Sequence, residues 1–263
     1  MTDREYRRCV LLAAAGSLAI LGLAAGGCGG DRSQELVVSA ASSLTDAFEE
    51  IASDFEQANP GVAVLLNFDS SATLANQVES GAPVDVYASA DAENMAQVVG
   101  SERTEGEPVT FAANDLVIVT RPGNEHGVTE PADLERVVSD GEVVALCART
   151  APCGLLAEEV LAGGAADPVM IDESGITRAP NARATLGAVT RGDAAAAIVY
   201  RTDAQQASGA VETIELDRAS AVSTDYLAVA LQDGPGDPAL AATFVELLGS
   251  AEAAAMLEGE GFR

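Results

Sequence analysis

The chain is expected to fold as an α/β protein, with mostly parallel sheets flanked by helices in two lobes joined by two crossing strands. Three observations point there. From residue 35 onward, short apolar runs alternate with longer segments of helical periodicity, the pattern of strand–helix–strand units and hence of parallel pairing covered on both faces. Two strongly apolar runs, at 116–120 and 226–231, stand apart from these units and suit segments that cross between lobes. The 263 residues, 48% of them hydrophobic, suffice for two modest domains, each with a core.

The elements follow in order. Residues 36–40 read as the first strand. Residues 44–58 carry Leu44, Ala47, Phe48, Ile51, Ala52 and Phe55 at helical spacing, and Asn59-Pro60-Gly61 stops that helix. A strand at 62–68, a helix at 72–80 ended by Gly81, a strand at 84–88 and a helix at 91–99 complete the first series. The strand at 116–120 ends in the turn signal Arg121-Pro122-Gly123-Asn124. The second series comprises a strand at 143–146, helices at 154–161 and 181–191, a strand at 194–200 and a short helix from 202. After the strand at 226–231, helices at 238–248 and 251–257 close the chain. The expected first lobe is 36–114 together with 225–263, and the second is 115–224.

Composition excludes several functions. Asp and Glu number 41 against 14 Arg, with no Lys, for a formal net charge of −27. Such a surface repels nucleic acid and anionic lipid, whose binding depends on clustered basic side chains. Aromatic residues make up 4%, with no Trp, which disfavours sites that stack sugars or bases. One histidine, His126, and four scattered cysteines leave little material for a zinc site. No cofactor and no free metal ion are expected.

The N-terminus reads as an export signal over 1–27. Arg4, Arg7 and Arg8 precede an apolar and small-residue run from 10 to 27, long enough to span a membrane. Its end, Ala25-Gly26-Gly27-Cys28 followed by Gly29, Gly30 and Asp31, resembles a bacterial lipoprotein box, with Ala25 where Leu is usual. The expectation is lipid attachment at Cys28, a tether over 28–35, and anchoring on the outer face of the cell membrane. Arg7-Arg8 before Val10-Leu11 leaves general secretory and twin-arginine export both open. With Cys9 lost and Cys28 lipidated, Cys147 and Cys153 remain, and a nearby pair in an exported protein suggests a disulfide. Closing so short a loop is worth roughly 2 kcal/mol; two free buried thiols are the alternative.

In an open parallel sheet, ligands sit beyond the carboxyl ends of strands, where helices begin. Four such junctions are built of small residues: Ser39 to Ser43, Asp69 to Thr73, Pro152-Cys153-Gly154, and Pro180-Asn181-Ala182. Each alone reads as a helix cap. Converging on one cleft, their main-chain amides, helix dipoles and hydroxyls would hold a small anion without Lys or Arg.

Four stretches, VSAASSLTDA at 38–47, NFDSSATL at 67–74, GAPVDVYASAD at 81–91 and AIVYRTDA at 197–204, with EGF at 260–262, closely resemble the molybdate-binding proteins of bacterial ABC transporters. The match runs in order over nearly the whole chain after residue 36. The resemblance implies a type II periplasmic-binding-protein-like fold and no enzymatic activity. It further implies a monomer that captures molybdate, and tungstate with it, for an ABC permease. It assigns the oxyanion to the hydroxyls of Ser43, Ser71 and Tyr200 and to the main-chain amides of Cys153 and Ala182. Cys153 replaces a small apolar residue, which a main-chain donor tolerates, and a Cys147–Cys153 bond would rigidify that donor before the ligand arrives. Asp69 is the other departure. Pointing inward it would repel a dianion or accept a proton from hydrogen phosphate; pointing outward it would serve as a cap.

A deprotonated tetrahedral oxyanion has only acceptors, so a site of donors alone suits molybdate, tungstate and sulfate and leaves the proton of hydrogen phosphate unpaired. The same fold carrying sulfate, phosphate or an organic anion is the alternative. A serine hydrolase would need a base and a nucleophile elbow; His126 lies in a turn and no Gly-x-Ser-x-Gly occurs. A lipid-anchored adhesin would give the strand-end serines no role.

Overall fold

The computed structural model describes residues 34–163, 168–217 and 221–263. The expected signal peptide, Cys28 and all but the last two residues of the tether lie outside them. β1 (Gln34–Ala41) is buried almost continuously from Leu36 onward, as a strand covered on both faces must be. A single 3-10 turn, Ser42–Leu44, leads into α1 (Thr45–Ala58), whose Ala47, Phe48, Ile51, Ala52 and Phe55 face the core. β2 (Val62–Asp69) returns to pair parallel with β1. α2 (Ser71–Glu79) follows, then β3 (Val86–Ser89) on the other edge of β1, then α3 (Ala92–Gly100).

β4 (Thr104–Thr120) runs for 17 residues. α4 (Asp133–Ser139), β5 (Val144–Cys147) and α5 (Pro152–Leu161) come next. β6 (Ile176–Ala179), α6 (Ala182–Thr190), β7 (Ala196–Tyr200) and α7 (Arg201–Gln206) continue the alternation. β8 (Glu212–Glu215) and β9 (Ser223–Leu231) precede α8 (Pro238–Leu248) and α9 (Ala251–Gly259). The strand order is β2-β1-β3-β9-β4-β7-β5-β6, with β8 on β4. Strands followed by crossover helices pair in parallel, β1 with β2 and β3, and β5 with β6 and β7. β9 is antiparallel to β3 and β4, and β4 is antiparallel to β7 and β8.

β4 is the seam. Through Asp115 it pairs with β9, and from Leu116 it pairs with β7, beginning opposite Tyr200. The sequence pattern shows only its apolar second half, because the first half holds Gly106, Pro108 and two register shifts and is half exposed. α4, β6 and β8 are also additions. They are short and partly exposed, with β6 and β8 at sheet edges, so neither carries a continuous apolar run.

Most of the described aromatic residues form one group. Tyr226 of β9 lies edge-on to Phe111, Tyr200 and Phe262, at 6.3, 6.0 and 5.2 Å between ring centroids. Phe48 joins this group through Phe111, and Phe244 joins it through Phe48. α8 and α9 pack on β9 and α1 respectively. Asp85, buried, has a structural role: its carboxylate accepts the amides of Val37 and Gly236 (both 2.7 Å). Among the described residues no single helix is long and apolar enough to cross a membrane.

Candidate functional site

Beyond the carboxyl ends of β1, β2, β3, β5, β6 and β7 lies a small cavity. All five residues expected to hold the oxyanion line it: Ser43, Ser71, Cys153, Ala182 and Tyr200. Each is buried in the protein. Neither Arg nor Lys lines it, and Asp69 is its one charged lining residue.

The helix starts supply its donors. α5 has no side-chain cap at Ala151 and places Pro152 at its first position. Pro has no N–H, so the Cys153 amide is the first donor of that helix and has no partner within it. At α6 the Asn181 side chain caps the Ala184 amide (3.0 Å), which leaves the Ala182 amide as the first N–H of the helix. Both helix dipoles point their positive ends at the cavity. At α2 the two serines divide the work. Ser70 Oγ accepts the Thr73 amide (3.2 Å) as the cap, and Ser71 Oγ accepts the Ala90 amide (2.9 Å).

Cys147 and Cys153 are bonded to each other, their Cα atoms 5.8 Å apart, so the end of β5 is covalently tied to the first turn of α5. Gly154 completes the fit. A Cβ at this position would stand 2.0 Å from the Ala148 carbonyl oxygen and 3.1 Å from that of Cys147. Backbone atoms cannot yield as a flexible side chain would, so Gly154→Ala is expected to cost about 2–3 kcal/mol and to displace the Cys153 amide. Thermal denaturation and an oxyanion titration of the variant check both effects.

Tyr200 ends β7 and is 2% exposed. Its hydroxyl has no hydrogen-bond partner of adequate geometry among the described residues, an uncommon condition for a buried polar group. Burial holds the phenol well above its ordinary pKa, with the neighbouring Tyr226 adding to the effect, so it stays protonated and can donate. Ser43 Oγ lies 2.7 Å from the Tyr226 hydroxyl. The Tyr226 hydroxyl also receives Asn114 Nδ2 (3.4 Å), which donates more closely to Thr202 Oγ1 (2.9 Å). Neither Tyr226 nor Asn114 is among the expected site residues; β9's apolar pattern marks Tyr226 only as a core residue.

Asp69 lines the cavity, yet its Oδ1 is occupied. It accepts the Ser70 amide (2.7 Å) and Asn181 Nδ2 (3.2 Å), so it caps its own turn and joins the end of β2 to the start of α6. Arg183, one residue past Ala182, does not line the cavity. It pairs with Asp46 at the start of α1 and donates to Gln206 (2.7 Å). His126 pairs with Asp140 (3.1 Å) away from the cavity, so no histidine stands beside the serines. No cluster of metal-ligating side chains occurs among the described residues.

Residues 36–263 match the family of bacterial extracellular solute-binding proteins. The chain is 34% identical over 229 residues to the molybdate-binding protein ModA of Mycobacterium bovis, covering 87% of this chain and 84% of that one. It is 30% identical over 233 residues to the protein of the same name from Escherichia coli, covering 87% and 88%. The periplasmic molybdate-binding protein of Azotobacter vinelandii superposes with a TM-score of 0.74 at 20% identity, covering 87% and 98%. The sulfate-binding protein SubI of Mycobacterium tuberculosis does so with a TM-score of 0.75 at 16%, covering 88% and 86%. At those identities the two structures speak to the fold alone. These relatives bind solutes and are not enzymes. The chain belongs to the bacterial extracellular solute-binding proteins, in the group of the ModA molybdate-binding proteins.

Proposed function

We propose that the protein captures molybdate, and tungstate with it, through five neutral donors: the hydroxyls of Ser43, Ser71 and Tyr200 and the main-chain amides of Cys153 and Ala182. The observation that carries this reading is the Tyr200 hydroxyl, buried, protonated and without a hydrogen-bond partner of adequate geometry, on a small cavity with no basic lining residue. A fully deprotonated oxyanion supplies the acceptor that hydroxyl lacks. Discrimination against hydrogen phosphate comes from its unpaired proton, and discrimination against sulfate from cavity size. The names of the ModA relatives support molybdate as the cargo.

The remaining features extend the same reading. Residues 1–27 direct export, Cys28 carries the lipid, and the protein works as a monomer on the outer face of the membrane. Residues 36–114 with 225–263 form one lobe and 115–224 the other. The loaded form is handed to an ABC permease. Closure of the lobes brings the α5 and α6 amides to an anion first met by the serines.

Thermal shift of the anion-free protein tests the cargo. Micromolar molybdate and tungstate are expected to raise Tm by several degrees, since ligand at about 100 times Kd adds roughly 2.7 kcal/mol. Phosphate is expected to leave Tm unchanged. Equal shifts with sulfate and molybdate would contradict the assigned cargo.

A further inference from the structure

The two serines of the site share a feature that neither the fold nor the family assignment requires: each has its oxygen engaged from behind. At Ser71 the donor is the Ala90 amide, at 2.9 Å. A main-chain N–H can only donate, so it takes up a lone pair of Ser71 Oγ and leaves the hydroxyl proton free to turn elsewhere. At Ser43 the partner is the Tyr226 hydroxyl, at 2.7 Å, which could either give or receive. Asn114, one step further back, bears on that direction. Asn114 Oδ1 accepts the Asp115 amide (3.0 Å), which identifies the other terminus of the side chain as the NH2 group. That group donates to Thr202 Oγ1 (2.9 Å) and, at 3.4 Å, to the Tyr226 hydroxyl. With Asn114 donating to it, the Tyr226 hydroxyl can give its own proton to Ser43 Oγ, one of the two directions that the 2.7 Å contact allows.

We infer that Asn114 and Tyr226 are positioning residues that turn the Ser43 hydroxyl into an obligate donor toward the cavity, as the Ala90 amide does for Ser71. The inference rests on the reading of the cavity as an oxyanion site and deepens it. An unconstrained serine can accept as well as donate, and so could pair with the proton of hydrogen phosphate. A serine whose lone pair is already occupied has much less capacity to do so. Selectivity for fully deprotonated oxyanions is therefore built partly behind the binding surface. Asn114 sits where β4 changes partners from β9 to β7, so the chain of hydrogen bonds runs through the seam of the sheet.

Tyr226→Phe tests this. The ring and its contacts with Phe111, Tyr200 and Phe262 are kept, so the variant is expected to fold, with a Tm within a few degrees of the parent. Parent and variant are titrated calorimetrically with molybdate, and with phosphate in competition against molybdate. The expected result is about a tenfold loss of molybdate affinity and a larger gain for phosphate relative to molybdate, so that the preference between them narrows more than tenfold. A role confined to packing would weaken both anions by the same factor. An equal loss for both, or no change for either, overturns the inference while the site assignment stands. A parent protein that binds no molybdate overturns both.

Discussion

Tyr200→Phe is expected to weaken molybdate binding about thirtyfold while leaving the fold intact. The hydroxyl is buried and has no hydrogen-bond partner of adequate geometry, though the Tyr226 hydroxyl interacts with it, so removing it costs the empty protein little. In the loaded protein it would meet a charged acceptor, and a hydrogen bond to a charged group contributes about 2 kcal/mol, which is the stated factor. The variant separates two observables. Affinity falls, and the Tm of the anion-free variant holds. Calorimetry and thermal denaturation of the same preparation check both. Retained affinity would show that Tyr200 faces no ligand.

Asp203→Asn is expected to make the protein more stable at pH 8 and to leave it unchanged near pH 4. Asp203 lies in the first turn of α7 and is 1% exposed, and neither carboxylate oxygen accepts a hydrogen bond of adequate geometry. Burial raises its pKa from 3.8 to about 7, against the pull of Arg183 and of the main-chain amide at Tyr200, while Asp46 adds to the rise. Below about 3.8 both the folded and unfolded states carry the proton. Between there and about 7 the unfolded chain ionises and the folded one does not, so the folded state holds more protons and stability declines as pH rises. Above that range the loss is complete. Asn cannot ionise, so the variant lacks this slope, and its advantage over the parent should grow from about pH 4 to about pH 7 and then level off. Each pH unit that separates the folded and unfolded pKa values is worth about 1.4 kcal/mol, so the full effect is several kcal/mol. Tm measured across that range for both proteins checks it, and a constant difference would show that Asp203 is ionised throughout.

What was legible in the sequence follows from where each signal is written. The strand–helix units between 36 and 99 are readable because β1 and α1 bury uninterrupted or regularly spaced apolar residues. The first half of β4 is not, since Pro108 and the register shifts erase its alternation. β6 and β8 are four-residue edge strands held by pairing and not by an apolar pattern of their own. At the site, the small-residue junctions are visible because helix starts leave a local signature. Tyr226 and Asn114 are not, because their role depends on β9 returning from 112 residues beyond Asn114 to lie beside it. Which serine of the Ser70-Ser71 pair caps the helix and which faces the cavity also depends on tertiary contact, through the Ala90 amide. The orientation of Asp69 is decided the same way, by Asn181 across the cavity.

The net charge of −27 sets the problem that the site answers. A protein this acidic gains no long-range attraction for a dianion. The nearest guanidinium to the α6 amides, that of Arg183, is committed to Asp46 and Gln206. Capture therefore falls to short-range donors: helix-start amides, hydroxyls and two helix dipoles. Charge on the exterior and affinity inside are separate properties here.

The most direct measurement is a crystal structure of the protein loaded with molybdate, with the metal located by its anomalous scattering. One oxyanion is expected in the cavity beyond the carboxyl ends of β1, β2, β3, β5, β6 and β7. Its oxygens should lie within hydrogen-bonding distance of Ser43 Oγ, Ser71 Oγ, Tyr200 Oη and the amides of Cys153 and Ala182, with no Arg in contact. Molybdenum bound elsewhere, or held there by a basic side chain, would contradict it.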